Sequence, residues 1–165
     1  MRIRDAVDAD WAGIWPFFSV IVKAGETFTY PLDLGEEDAR RMWMVGAPGR
    51  VVVAVGEDGG VLGTANMYAN RWGNGDHIAS ASYMVDPRVH GQGVGRALVE
   101  DSLVWARAAG FEGMQFNAVV ATNTAAVELY RRLGFVILGT VPGGFRHPEH
   151  GRVGLHSMFV DLKRG

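Results

Sequence analysis

The residues of this chain best suited to chemistry run in series, His90-Gly91-Gln92-Gly93-Val94-Gly95-Arg96. An apolar, strand-like run, Ala81-Ser82-Tyr83-Met84-Val85, precedes them, and a long amphipathic segment follows. A strand that ends in a Gly-rich turn and opens a helix is an anion cradle. Glycines lack Cβ atoms, so a phosphate can approach the backbone closely. The unpaired N–H groups of the first helical turn point at it, and the helix dipole favours negative charge there. The expected ligand is a small molecule bearing a diphosphate. A phosphate loop of the Gly-x-x-x-x-Gly-Lys-Ser/Thr type is absent from the sequence. A dinucleotide-binding domain would place its Gly-rich turn after the first strand, whereas here the turn lies past the midpoint of the chain.

The elements that must position this loop follow from periodicity. Met1 to Ala6 alternates as a short strand. Asp8 or Asp10 can cap a helix through Trp11, Ile14, Trp15, Phe18, Ile21 and Val22, which keep the spacing of a buried helical face. Pro16 predicts a late start or a kink in it. Gly25 to Leu34 reads as a loop carrying Glu26, Phe28 and Tyr30, and Glu36 to Val45 as a second helix with acids in its first turn. Val51–Val55 and Val61–Asn70 read as strands joined by the turn Asp58-Gly59-Gly60. His77 to Val85 is the next strand. Val94 to Ala109 is a helix with Val94, Leu98, Trp105 and Ala108 on one face, and Gly110 as its left-handed cap. Gly113–Val120 is a strand, Ala125–Leu133 a helix, Phe135–Val141 a strand, Pro142–Gly154 a loop and Leu155–Leu162 a final strand. The order β-α-α-β-β-β-α-β-α-β-β predicts an α/β fold, a mixed sheet with helices on both faces.

The 165 residues fit one ordinary domain, and neither a repeat nor a linker interrupts them. Apolar residues make up 48% and charged residues 21%, a globular balance. A net charge of -2 without a dense basic run argues against nucleic acid as a partner. Apolar runs fall short of the roughly 18 residues of a membrane span, and Met1 to Asp5 lacks an apolar signal region. Cytoplasmic residence is the expectation. With no cysteine, the chain can have no Cys-ligated zinc and no Cys-bound acyl intermediate. His147-Pro148-Glu149-His150 carries ligand types, but a His pair in a loop is not specific for a metal, and none is expected.

Two motifs together resemble those of the GNAT superfamily of acyl-CoA-dependent N-acyltransferases. The family pattern Gln/Arg-x-x-Gly-x-Gly/Ala falls on His90 to Gly95, with Gly93 and Gly95 matching and His90 departing from the leading Gln/Arg. Arg88 stands two residues earlier. Asn123 to Phe135 looks like the family segment Asn-x-x-Ala-x-x-x-Tyr-x-x-x-Gly-Phe, at the right distance and in the right βαβα context. The likeness covers almost the whole chain, most firmly Ala79 to Phe135. Glu26-Thr27-Phe28-Thr29-Tyr30 resembles a loop of the small-molecule acetyltransferases in this superfamily. Phe116 to Asn123 is similar to a segment of fungal acetyltransferases acting on azetidine-2-carboxylate. The resemblance implies a GNAT-type, mostly antiparallel sheet of about seven strands with about four helices. It implies acetyl-CoA as co-substrate and an amino acid or amino-acid-like amine as acceptor. Protein N-termini or lysines, or a non-catalytic acyl-CoA sensor, are the competing readings. Family members often pair as homodimers, which no feature of this sequence demonstrates.

The resemblance also assigns roles. Met84, Val85, the loop His90 to Arg96, Asn123 and Ala126 are expected to hold the cofactor, and Asn123 fits equally as a plain helix cap. Tyr130 matches the general acid; a phenol of pKa about 10 can protonate a thiolate whose thiol pKa is about 8.5. An alkylamine of pKa about 10 costs roughly 4 kcal/mol to neutralise at pH 7, so a base or a water chain is needed. The strand His77 to Val85 carries no acid. Glu26 and His77 remain open as the base, with Ser80 or Ser82 acting through water. Phe28, Tyr30, Tyr68, Trp72 and Asn117 are expected to wall the acceptor pocket. The loop Phe145 to Arg152 is expected to shape it, with Arg71, Arg146 and Arg152 available for an acceptor carboxylate. Direct transfer is expected, because a Cys nucleophile is lacking.

Overall fold

The computed structural model describes residues 1–163. Seven strands form one sheet: β1 (Arg2–Asp5), β2 (Arg50–Val55), β3 (Val61–Ala69), β4 (Ile78–Val85), β5 (Gly113–Val120), β6 (Val136–His147) and β7 (Gly151–Asp161). Their order is β1-β2-β3-β4-β5-β7-β6, and every pairing is antiparallel except β4 with β5. Four α-helices cover it: α1 (Trp11–Ala24), α2 (Glu36–Trp43), α3 (Val94–Ala108) and α4 (Thr124–Arg132). The expected seven-stranded mixed sheet with four helices is therefore present. None of the helices is long and apolar enough to cross a membrane, among the described residues.

Side chains alternate across a strand, so the strands β2, β3 and β4 feed two cores, one on each face of the sheet. One joins Val52, Ala65, Ala79, Met114 and Met158 to Leu98 and Leu103 of α3 and Val127 of α4. The other joins Val51, Val53 and Met84 to Ile14 and Phe18 of α1 and Trp43 of α2. On α3 the buried face runs through Val94, Leu98, Ser102 and Ala106, while Ala108 is exposed. The deviation from the expected face admits a polar residue: Ser102 Oγ lies 2.6 Å from the Tyr83 hydroxyl.

Three expectations need correction. Pro16 lies inside α1, which runs unbroken from Trp11. The proline removes the amide that would bond the Ala12 carbonyl, and Ala12 is exposed, so solvent can take that place. Asp10 is the N-cap residue of α1 without a side-chain cap bond. Its carboxylate instead accepts the Val7 N–H at 2.8 Å and both Arg4 Nη groups at 2.7 and 2.8 Å, stapling β1 to α1. The segment Pro142 to Gly154 is not a loop. It belongs to a long hairpin in which Val141 pairs Leu155 and Phe145 pairs Val153, so Pro142, Gly143 and Gly144 bulge opposite Gly154. A bulge tolerates a proline and a left-handed glycine (Gly143, φ 62°) that a regular strand would not.

The feature that matters most is the seam between β4 and β5. They pair only at Ile78 with Gly113 and Ala79 with Met114, and part beyond that point. Gly113 is fixed by packing: a Cβ there would lie 2.5 Å from the Phe159 ring. On its other side β5 bulges between Phe116 and Val119. The parted strands leave a fork that α4 and the loop after α1 flank.

Candidate active site

The fork is a cleft of about 510 Å³. One wall is β4 from Ser80 to Val85, the other β5 from Phe116 to Val120. Asn123, Ala126 and Tyr130 close one side, and the segment Glu26 to Tyr30 with Tyr68 closes the other. His90 and Pro87 stand at the rim by the Gly-rich turn. The last turns of α1 also contribute Val20, Ile21 and Ala24, which the sequence reading did not place at the site. The available signal was Val20, an apolar residue off the expected buried face of that helix, which the structure leaves 57% exposed.

The turn has the form that anion binding requires. Gly91 and Gly93 adopt left-handed φ of 78° and 80°. Gly93 is the N-cap of α3, and the first helical bond runs from Ala97 N–H to the Gly93 carbonyl at 3.1 Å. The N–H groups from Gly91 to Arg96 donate to no acceptor among the described residues. Gly95 is not left-handed, and a Cβ there would meet only ordinary contacts, 3.7 Å from Val85 and 3.9 Å from Leu129. The fold itself therefore has room for a Cβ at Gly95. The Val94 side chain is buried in the core, so only its amide faces the turn. Arg96 is paired through Nε with Glu100 at 2.8 Å, and Arg88 through Nη2 with Asp86 at 2.7 Å.

Tyr130 stands on α4 with its ring against Phe116 (4.6 Å between centroids), Phe135 (5.8 Å) and Tyr83 (6.2 Å). Burial pushes its phenol up from the ordinary value, so it is a proton donor throughout the neutral range. Its hydroxyl has no hydrogen-bond partner among the described residues, and it lines the cleft. Asn123 caps α4: its Oδ1 accepts the Ala126 N–H at 3.4 Å, which leaves the amide NH₂ for the cleft.

On the side toward Tyr30, Ser80, Ser82 and Met84 share the face of β4 that meets α1. Tyr30 is held between Phe28 (5.1 Å) and Phe18 (6.3 Å, interplanar 8°), with its hydroxyl near that of Ser82. Burial, with Tyr68 nearby, pushes its phenol up to about 12. Asn117 lines the cleft from the β5 bulge, but its amide is engaged. It donates to Asn70 Oδ1 at 2.7 Å and accepts from Gln115 at 3.2 Å.

Several expected residues lie elsewhere. His77 is outside the cleft, below the paired foot of the fork, where its carbonyl accepts the Glu112 N–H at 2.8 Å. Trp72 is 95% exposed and does not wall the pocket. The hairpin residues Phe145 to Arg152 and the side chain of Arg71 do not line it either; Arg71 bonds the Asn70 carbonyl. Among the lining residues, Glu26 is the carboxylate and no Lys or Arg is present, so no guanidinium awaits an acceptor carboxylate. The arrangement can bind an anion at one end, pair an amide-bearing arm along open strand edges, and donate a proton at Tyr130.

Comparison with known proteins gives consistent findings. The model of the Acetyltransferase (GNAT) family matches residues 15–135. A GCN5-related N-acetyltransferase structure from Kribbella flavida is 55% identical with a TM-score of 0.95, covering 97% of this chain and 96% of that one. A GNAT superfamily phosphinothricin acetyltransferase from Sinorhizobium meliloti, in complex with AcCoA, is 28% identical with a TM-score of 0.86, covering 98% and 88%. The N-acetyltransferase aca1 of Schizosaccharomyces pombe is 30% identical over 115 residues, 70% of this chain and 52% of its own length. The chain spans about half the length of the first curated relatives it matches.

Proposed function

We propose that this chain, which belongs to the acetyltransferase (GNAT) family, acts as one domain that moves an acetyl group from acetyl-CoA to the amine of a small molecule. The observation that carries the reading is the fork: two strand edges part above Ala79 and lead to a cradle of six unpartnered amides, Gly91 to Arg96, with the free hydroxyl of Tyr130 alongside. The fit to the cofactor is chemical. The cradle suits a pyrophosphate, and Gly95 is bare where the fold does not require it. The open edge of β4 at Met84 and Val85 suits the amides of a pantetheine arm. The Asn123 amide and Ala126 border that arm, and His90 borders the pyrophosphate end. Acetyl-CoA supplies the activated thioester.

This chain's residues then do the rest. A backbone N–H at the end of β4 polarises the thioester oxygen. Tyr130 gives its phenolic proton to the departing thiolate, which burial keeps strongly basic. Phe28, Tyr30 and Tyr68 surround the acceptor, and Asn117 borders it from the bulge. Of the two side chains expected as the base, Glu26 stands at the rim of the cleft and His77 lies outside it. The small-molecule acceptor is supported by the aromatic roof over the cleft and by likeness to a phosphinothricin acetyltransferase.

The test is an assay of thiol release from acetyl-CoA with a panel of small amines and free-N-terminus peptides, with products identified by mass. N-acetylated small amines are expected. Products on peptides alone, or cofactor binding without any product, would overturn the small-molecule reading.

A further inference from the structure

The general base of this cleft is not on β4, whose side chains toward the acceptor are Ser80, Ser82 and Met84. Glu26 sits exposed at the rim. What the acceptor side does hold is a chain of hydroxyls. Ser82 lines the cleft midway along the open part of β4, and Tyr30 lines the same cleft with its hydroxyl near that of Ser82. Tyr30 is fixed by stacking on Phe18 and Phe28, and its ring reaches from the apolar core under α1 to the cleft. Tyr68, the register partner of Ser80, and Glu26 are the other ionisable groups on this side.

We propose that Ser82 and Tyr30 form a relay that carries the proton away from the acceptor's ammonium, a role that rests on the transferase reading above. The ammonium N–H breaks and its proton goes to Ser82 Oγ. The Ser82 hydroxyl proton passes to Tyr30 Oη, and the phenolic proton of Tyr30 passes to water. The freed lone pair forms the C–N bond as the C–S bond breaks, the sulfur leaves with its electron pair and takes the Tyr130 proton, and the second N–H proton of the attacking nitrogen restores the Tyr130 phenol. Both relay hydroxyls end as they began, each having exchanged one proton for another. A neutral pair is what this pocket tolerates, since an unpaired charge among Phe18, Phe28 and Trp43 would be costly. The phenol's upward shift fits conduction, because Tyr30 does not store a charge between turnovers.

The experiment compares ethylamine, protonated at neutral pH, with trifluoroethylamine, largely neutral there. Tyr30→Phe keeps the ring and its stacking and removes the hydroxyl. With ethylamine its kcat/KM is expected to fall about a hundredfold. With trifluoroethylamine, which has no proton to lose before attack, the fall is expected to be small. Ser82→Ala should behave alike, and Tyr30→Phe carries the test if Ser82→Ala does not fold. Equal losses on both amines, or no loss on either, would overturn the relay. Wild-type protein that binds CoA yet acetylates neither amine would overturn the transferase reading instead.

Discussion

Tyr130 and Tyr30 are both phenols raised by burial, yet they are placed for different work. The Tyr130 hydroxyl has no partner among the described residues, whereas that of Tyr30 neighbours Ser82. Replacing Tyr130 by Phe keeps its packing against Phe116 and Phe135 and removes the proton. We expect kcat to fall by about 10²- to 10⁴-fold, with acetyl-CoA binding retained in a thermal-shift assay. Unchanged turnover would remove Tyr130 from the mechanism. The two motif glycines also separate at this scale. Gly93→Val forces a side chain into a left-handed φ of 80° and should lose about 1–2 kcal/mol of stability as well as cofactor binding. At Gly95 the backbone is not left-handed and an added Cβ meets only ordinary contacts, so the urea midpoint of Gly95→Val should fall less than that of Gly93→Val while CoA affinity drops at least about tenfold, equivalent to 1.4 kcal/mol. Matching stability losses in the two variants would contradict this division. The spacing of the glycines was legible in the sequence; which one serves the backbone and which the ligand was not, because that depends on φ and on neighbours from β4 and α4.

Among the elements, the joint of β1 and α1 depends on Asp10. Hydrogen bonds from Arg4, then from Val7, hold its carboxyl below the usual range against the opposing effect of burial. A carboxylate with a depressed folded pKa stabilises above its unfolded value, about 3.9, and loses that contribution as pH falls through the folded one. Asp10→Ala should therefore cost about 1–3 kcal/mol in urea unfolding at pH 7. The gap from wild type should close in acid; a pH-independent gap would mean that the loss is only packing. Gly113→Val addresses the foot of the fork. The added side chain meets the Phe159 ring and should cost about 1–3 kcal/mol by overpacking, and a neutral result would show that β5 and β7 yield easily there. Strands and helices with plain periodicity were readable in advance. The hairpin of β6 and β7 was not, since Pro142, Gly143 and Gly144 read locally as a break while the bulge that absorbs them is set by the partner strand. The Asp10 staple was equally hidden, because its meaning depends on an arginine on β1.

At the scale of the whole molecule, the site is made by register. Tyr30, Tyr68, Ser82, Asn117 and Tyr130 come from five segments, and only the sheet order brings them to one cleft. Sequence spacing reached the cradle and Tyr130, which are local motifs. It placed His77, Trp72 and the 145–152 hairpin at the pocket through proximity in the chain, which the fold does not honour. The most direct measurement is thermal unfolding with acetyl-CoA, CoA, ATP and NAD, each at about 100 times a plausible dissociation constant. Binding to the native state alone adds about 2.7 kcal/mol, a rise of roughly 5 to 11 °C for a chain of this size. The account predicts that rise with acetyl-CoA and CoA only. No rise with either, or a rise with ATP or NAD instead, would contradict it.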